Sequence, residues 1–164
     1  MSIVPEAAPG GHQEQDRSIP VRFALHPSIT EAKIARLVER FYGEIRQDQR
    51  LGPIFDKRLA GRWELHLAKM QMFWQSVLLR NGAYKGKPLP AHLALKELVA
   101  GDYPAWLSIF RPVAFDVFGP QAGPLVVDCA ERIAQNLQLA SFFSASQSEL
   151  TAVSAAHNSE VRDA

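Results

Sequence analysis

Two histidines carry most of the chemistry legible in this chain: His66, inside a long amphipathic run, and His92, within Lys87-Pro88-Leu89-Pro90-Ala91-His92-Leu93. A neutral imidazole in apolar surroundings is a ligand for a transition metal, and it is the axial ligand that an iron porphyrin needs. His66 and His92 lie on successive helical segments on either side of a loop, so they can stand on opposite sides of a flat group. Their separation is far too long for a His-x-x-x-His zinc motif on one helix, and neither apolar stripe offers an acidic third ligand. A haem asks for less: one strong protein ligand and a large apolar slot.

The composition narrows this further. Cys129 is the single cysteine, which excludes an intrachain disulfide, the Cys-x-x-Cys-His attachment of a c-type haem and every multi-cysteine zinc or iron–sulfur framework. Any haem is therefore held without thioether links. Eighteen basic and 17 acidic side chains leave a formal charge of +1 with no block of like charge, so nothing proposes nucleic acid or an anionic membrane as a partner. No apolar run approaches the ~20 residues that span a bilayer. The N-terminus lacks the basic start and apolar centre of a signal peptide, and the chain reads as cytoplasmic.

The elements that must position the histidines are helical throughout. Residues 1–22, rich in Pro, Gly and polar side chains, read as a disordered arm. From Ser28 onward, Ile34, Leu37, Val38, Phe41, Tyr42 and Ile45 recur on one helical face. Ser28 and Glu31 have the form of a capping box, and Gly52-Pro53 should stop this helix, leaving a short apolar corner through Phe55. A second long helix runs from about Gly61 to Leu79, with His66, Met70, Phe73 and Val77 on one stripe. Asn81-Gly82 ends it, 83–90 is a loop and a short helix carries 91–99. Asp102 can cap the next helix, with Pro104 in its first turn. Gly119-Pro120 breaks that helix, and a last one from about Pro120 to Leu139 presents Leu125, Val126, Cys129, Ile133 and Leu137. One globular domain over 23–143 follows, with a polar tail over 144–164 that is disordered or weakly helical.

In that order the chain shows Phe41-Tyr42, then Arg46-x-Asp48-x-x-Leu51-Gly52-Pro53-Ile54-Phe55, then Trp63-x-x-His66-x-x-Lys69-x-x-x-Phe73-Trp74, then Pro90-x-His92, then Trp106-Leu107-x-x-Phe110. This series resembles a group III truncated haemoglobin from about Ile29 to Phe143. The sole Gly-Gly pair, Gly10-Gly11, lies in the arm and not beside the short helices, where groups I and II carry theirs. The resemblance implies an all-α fold, a two-over-two helical sandwich around b-type haem (iron protoporphyrin IX). It implies His92 as the proximal iron ligand, and Tyr42, His66 and Trp106 as the distal residues. Phe55 packs on the porphyrin in that pattern, Phe41, Met70 and Phe73 supply its apolar surroundings, and Lys69 is in reach of a propionate.

Beside this stand plainer readings. Phe41, Phe55, Met70, Phe73 and Trp74 would be core in any helical domain, Tyr42 and Trp106 would be interfacial aromatics with a satisfied polar tip, and Lys69 would be solvated. His66 either coordinates the iron itself when no ligand is present, swings out as a gate, or hydrogen-bonds a ligand. Several donors facing a ligand should slow O2 release. The functional expectation is thus tight binding of O2, NO, CO or peroxide by a monomer, with NO dioxygenase or peroxidase-like activity and a reductase as possible partner, and not oxygen transport. The alternatives are a haem-based gas or redox sensor and a haem-free, globin-like interaction module.

Overall fold

The computed structural model describes residues 24–86 and 97–160. His92, the arm over 1–22 and most of the short helix expected over 91–99 lie outside the described residues. Four helices make up the described part, with no strand among those residues: α1 (Glu31–Gln47), α2 (Leu51–Leu59), α3 (Trp63–Leu78) and α4 (Asp102–Glu160). Among the described residues no helix is long and apolar enough to cross a membrane.

Helix α1 begins at Thr30, whose hydroxyl accepts from the Lys33 N–H at 3.3 Å, and not at the expected Ser28. Ser28 is turned the other way, its hydroxyl 2.8 Å from His26 Nδ1. Glu31 in the first turn and Arg46 in the last suit the helix dipole. The helix ends where Asp48 turns extended, and that residue starts the next element: its Oδ1 accepts from the N–H groups of Arg50 at 2.9 Å and Leu51 at 2.7 Å. Gly52-Pro53 is accordingly no corner but the first turn of α2. Pro53 occupies a position whose N–H has no intrahelical partner, so its missing donor costs nothing there. Gly52 is required by proximity, since a Cβ would stand 2.8 Å from the Arg46 carbonyl oxygen at the end of α1.

Helix α4 is two helices joined at Gly119, whose φ of 74° and ψ of −175° only glycine adopts comfortably. The break matches the reading of Gly119-Pro120. Its arms double back on each other: a Cβ on Gly123 would come within 2.9 Å of the Phe115 ring, Arg111 pairs with Glu131 at 2.8 Å, and the Tyr103 hydroxyl lies 2.9 Å from that of Ser141. The second arm runs to Glu160, past the end expected near Leu139. Its buried stripe is Ala122, Val126, Ala130, Ala134 and Leu137, while Leu125 faces outward at 39% exposure.

The core lies where α1 meets α3 and both arms of α4. Ile34, Leu37, Val38, Phe41 and Ile45 of α1 are almost wholly buried against Leu78, Phe110 and Val126. Each such side chain contributes about 1.5–3 kcal/mol on removal from water. Arg40 of α1 pairs with Asp116 of α4 at the surface. On α3 only Trp74 and Leu78 are fully buried. The rest of its apolar stripe is partly open because it faces a cavity.

Candidate functional site

That cavity has a volume of about 680 Å³, enclosed by α1, α2, α3, the 83–86 segment and both arms of α4. The size lies within the range of cofactor sites. Leu51, Ile54, Phe55 and Leu59 of α2 line one side, and Met70, Phe73 and Trp74 of α3 another. Leu98, Trp106, Ile133, Ala134 and Leu137 complete the apolar lining.

Tyr42 and His66 bring polarity to this wall. Their ring centroids are 4.9 Å apart with planes at 88°, so the Tyr42 ring meets the imidazole edge to face. Tyr42 is buried, and that burial pushes its phenol well above the usual tyrosine range. It is therefore a hydroxyl throughout the physiological pH range, able to donate. Phe55 at 6.0 Å and Phe41 at 5.0 Å hold the Tyr42 ring from two sides by edge contacts. Trp106 is fixed by a stack: its ring lies 5.2 Å from Phe110 at 12°, and Phe110 lies 5.1 Å from Trp74 at 25°. Phe41 closes the set, edge-on to both Trp106 and Phe110.

The structure thus brings Tyr42, Phe55, His66, Lys69, Met70, Phe73 and Trp106 to one cavity. Phe41 stands a layer behind it, fully buried, buttressing Tyr42 and Trp106. His92 lies outside the described residues. Sequence reasoning missed the basic edge: Arg58 and Lys85, like Lys69, are exposed side chains that also line the cavity. It also missed Tyr84, whose ring meets Phe73 at 5.4 Å and whose N–H donates to the Ser76 hydroxyl at 2.7 Å. Solvated cations and a loop tyrosine have no periodicity to mark them.

A further omission is Asp102. It does not cap its own helix; it is buried and receives Arg50 in a fork, Nε to Oδ1 at 3.0 Å and Nη2 to Oδ2 at 2.9 Å, with the Val99 N–H at 2.8 Å. The Arg50 hydrogen bond comes first among the causes that hold its carboxyl below the usual range. Arg50 also donates to the Glu97 carbonyl at 2.9 Å, and Lys57 pairs with the Glu97 carboxylate at 3.2 Å. The start of α2 is thereby tied to residues 97–102 at the cavity wall.

A large apolar slot, hydroxyl and imidazole groups on one wall and cations at the edge fit a flat apolar group with anionic substituents, as haem is. No family model matches the chain. It is 33% identical over 114 residues to the group 3 truncated hemoglobin ctb of Campylobacter jejuni, a match covering 68% of this chain and 90% of that relative. The crystal structure of the group III truncated hemoglobin from Campylobacter jejuni aligns with a TM-score of 0.64 at 34% identity, covering 67% of this chain and 89% of the other. The chain belongs to the group III truncated hemoglobins, a family membership that implies a haem and a small gaseous ligand such as O2.

Proposed function

We propose that the cavity binds haem b, whose iron His92 would hold, with Tyr42, His66 and Trp106 as the residues that would meet its small ligand. On this reading the protein holds O2 and related ligands tightly and serves NO dioxygenation or peroxide reduction, not oxygen transport. The observation that carries it is the Tyr42–His66 pair on the cavity wall, with Trp106 lining the same cavity. A carrier must release its ligand quickly; a pocket with several donors retains it.

Haem supplies, when bound, an iron that takes O2, NO or peroxide and exchanges electrons with them. The chain's residues do the rest. The Tyr42 hydroxyl would donate to a ligand held in the cavity, and its burial pushes the phenol further toward the protonated form. Trp106 directs a donor-only indole N–H, held by its stack on Phe110. His66 would donate to the ligand or, where none is bound, hold the iron itself. Arg58, Lys69 and Lys85 hold anionic substituents at the edge. Phe55, Met70 and Phe73 exclude water, which strengthens each of these hydrogen bonds. The lack of a Cys-x-x-Cys-His sequence supports a non-covalently held group.

The test is NO consumption by the purified holoprotein under O2 with a flavin reductase, alongside the O2 off-rate. Turnover with slow O2 release supports the reading. Fast release with turnover of neither NO nor peroxide would reject it.

A further inference from the structure

At Trp63 the ring system of the cavity wall reaches the surface beside a carboxylate. Its ring lies 6.2 Å from Tyr42 and 6.1 Å from His66, both edge to face. It does not line the cavity itself and is partly exposed. Its indole N–H donates to Asp56 Oδ1 at 2.9 Å. The Arg46 guanidinium sits over the ring, 4.7 Å from its centroid, and pairs with the same Asp56 Oδ1 at 3.8 Å.

We propose that Trp63 is an electron port, the residue at which an external phenol reduces the site after peroxide has oxidised it. This rests on the peroxide arm of the function proposed above. Reduction of hydrogen peroxide to two waters consumes two electrons and two protons. In each of two turns the Trp63 indole passes one electron inward by way of the Tyr42 ring, and its Nε1 proton moves along the existing hydrogen bond to Asp56. The phenol then returns one electron to the indolyl ring and Asp56 returns the proton to Nε1. The phenol's own hydroxyl proton goes to solvent, balancing the one consumed at the peroxide. One peroxide and two phenols give two waters and two phenoxyl radicals.

Two features favour Trp63 over Tyr42 as the resting place of the missing electron. Oxidation of a phenol requires release of its proton, and Tyr42 is buried among the Phe41, Phe55 and Trp63 rings with the His66 imidazole beside it, where separating charge is more costly than at the partly exposed Trp63. At Trp63 a carboxylate already accepts the proton that must leave. The guanidinium above the ring disfavours positive charge on it, which drives the indole proton off. Asp56, though paired with the same guanidinium, is the acceptor already in hydrogen-bond contact and holds the proton until the phenol's electron arrives.

The same hydrogen bond also pins α2 to α3, and the experiment must separate the two roles. Holoprotein treated with equimolar hydrogen peroxide and a nitrone spin trap is digested and mapped by mass spectrometry, with the Soret band recorded in parallel. A trap adduct on Trp63, suppressed by guaiacol and lost in Trp63→Phe, is expected. Asp56→Asn keeps an acceptor for the indole N–H but removes the charge that takes the proton, and should lower the adduct several-fold. A Soret band that responds to peroxide without label on Trp63, or with label unchanged in Asp56→Asn, overturns the port alone and leaves the bond a structural pin. A Soret band indifferent to peroxide overturns the peroxide reading and the port with it.

Discussion

The Tyr42 and His66 rings meet at 88° with centroids 4.9 Å apart, so two polar groups from α1 and α3 share one patch of a largely apolar wall. The contact is made by packing: Phe41 and Phe55 hold the tyrosine from its other edges.

If Tyr42 and Trp106 retain a bound ligand, removing either donor must speed its escape. Tyr42→Phe and Trp106→Leu should each raise the O2 off-rate about 5- to 150-fold, corresponding to roughly 1–3 kcal/mol per hydrogen bond to a charged acceptor. Stopped-flow displacement of O2 by CO measures this. Off-rates unchanged in both variants would mean that neither group touches the ligand.

Replacement of His92 tests the proposed iron ligand. His92→Gly should be purified with a weakened or absent Soret band under haem-sufficient expression, and added imidazole should restore ligation. A native spectrum without imidazole would assign the axial role elsewhere.

Asp102 gives a pH-dependent prediction. Its carboxyl is held below its unfolded value of about 3.9, so its contribution is fully present above that pH and is lost as pH falls through the lower folded value. Asp102→Asn should cost about 1–3 kcal/mol at pH 7, and the gap to the native protein should close below about pH 4. Urea unfolding across that range reads the effect. A constant gap would remove the Arg50 pairing as its cause.

At Gly52 the prediction is steric. A Cβ 2.8 Å from a backbone oxygen cannot be relieved by turning a side chain, so Gly52→Ala should destabilise by about 1–3 kcal/mol. A matching change at open Gly43, on α1, should stabilise the helix slightly. Equal melting temperatures for the two would contradict the close approach of α1 and α2.

Much of this arrangement was legible in the sequence because periodicity reports burial. The α1 stripe, the long α3 face with His66 and the break at Gly119-Pro120 follow from spacing alone. The errors arose where local signals compete. Ser28 and Thr30 are both good caps, and only the bond from Lys33 decides between them. Gly52-Pro53 ends one helix and opens another, because proline suits a first turn as well as a stop. Leu125 carried the right residue type on the outward face. Asp102 looked like a cap because its true partner, Arg50, is remote in sequence and solvated at the start of α2. The edge cations Arg58 and Lys85 gave no signal for the same reason.

The chain has three tryptophans, and all stand on the cavity wall or one ring behind it: Trp74 and Trp106 line it, and Trp63 touches Tyr42. Their near-ultraviolet emission overlaps porphyrin absorption, so each indole is a donor for energy transfer to whatever pigment fills the slot. The protein therefore carries its own optical gauge of occupancy, bright when empty and quenched when loaded, and pigment uptake can be followed in real time without any label.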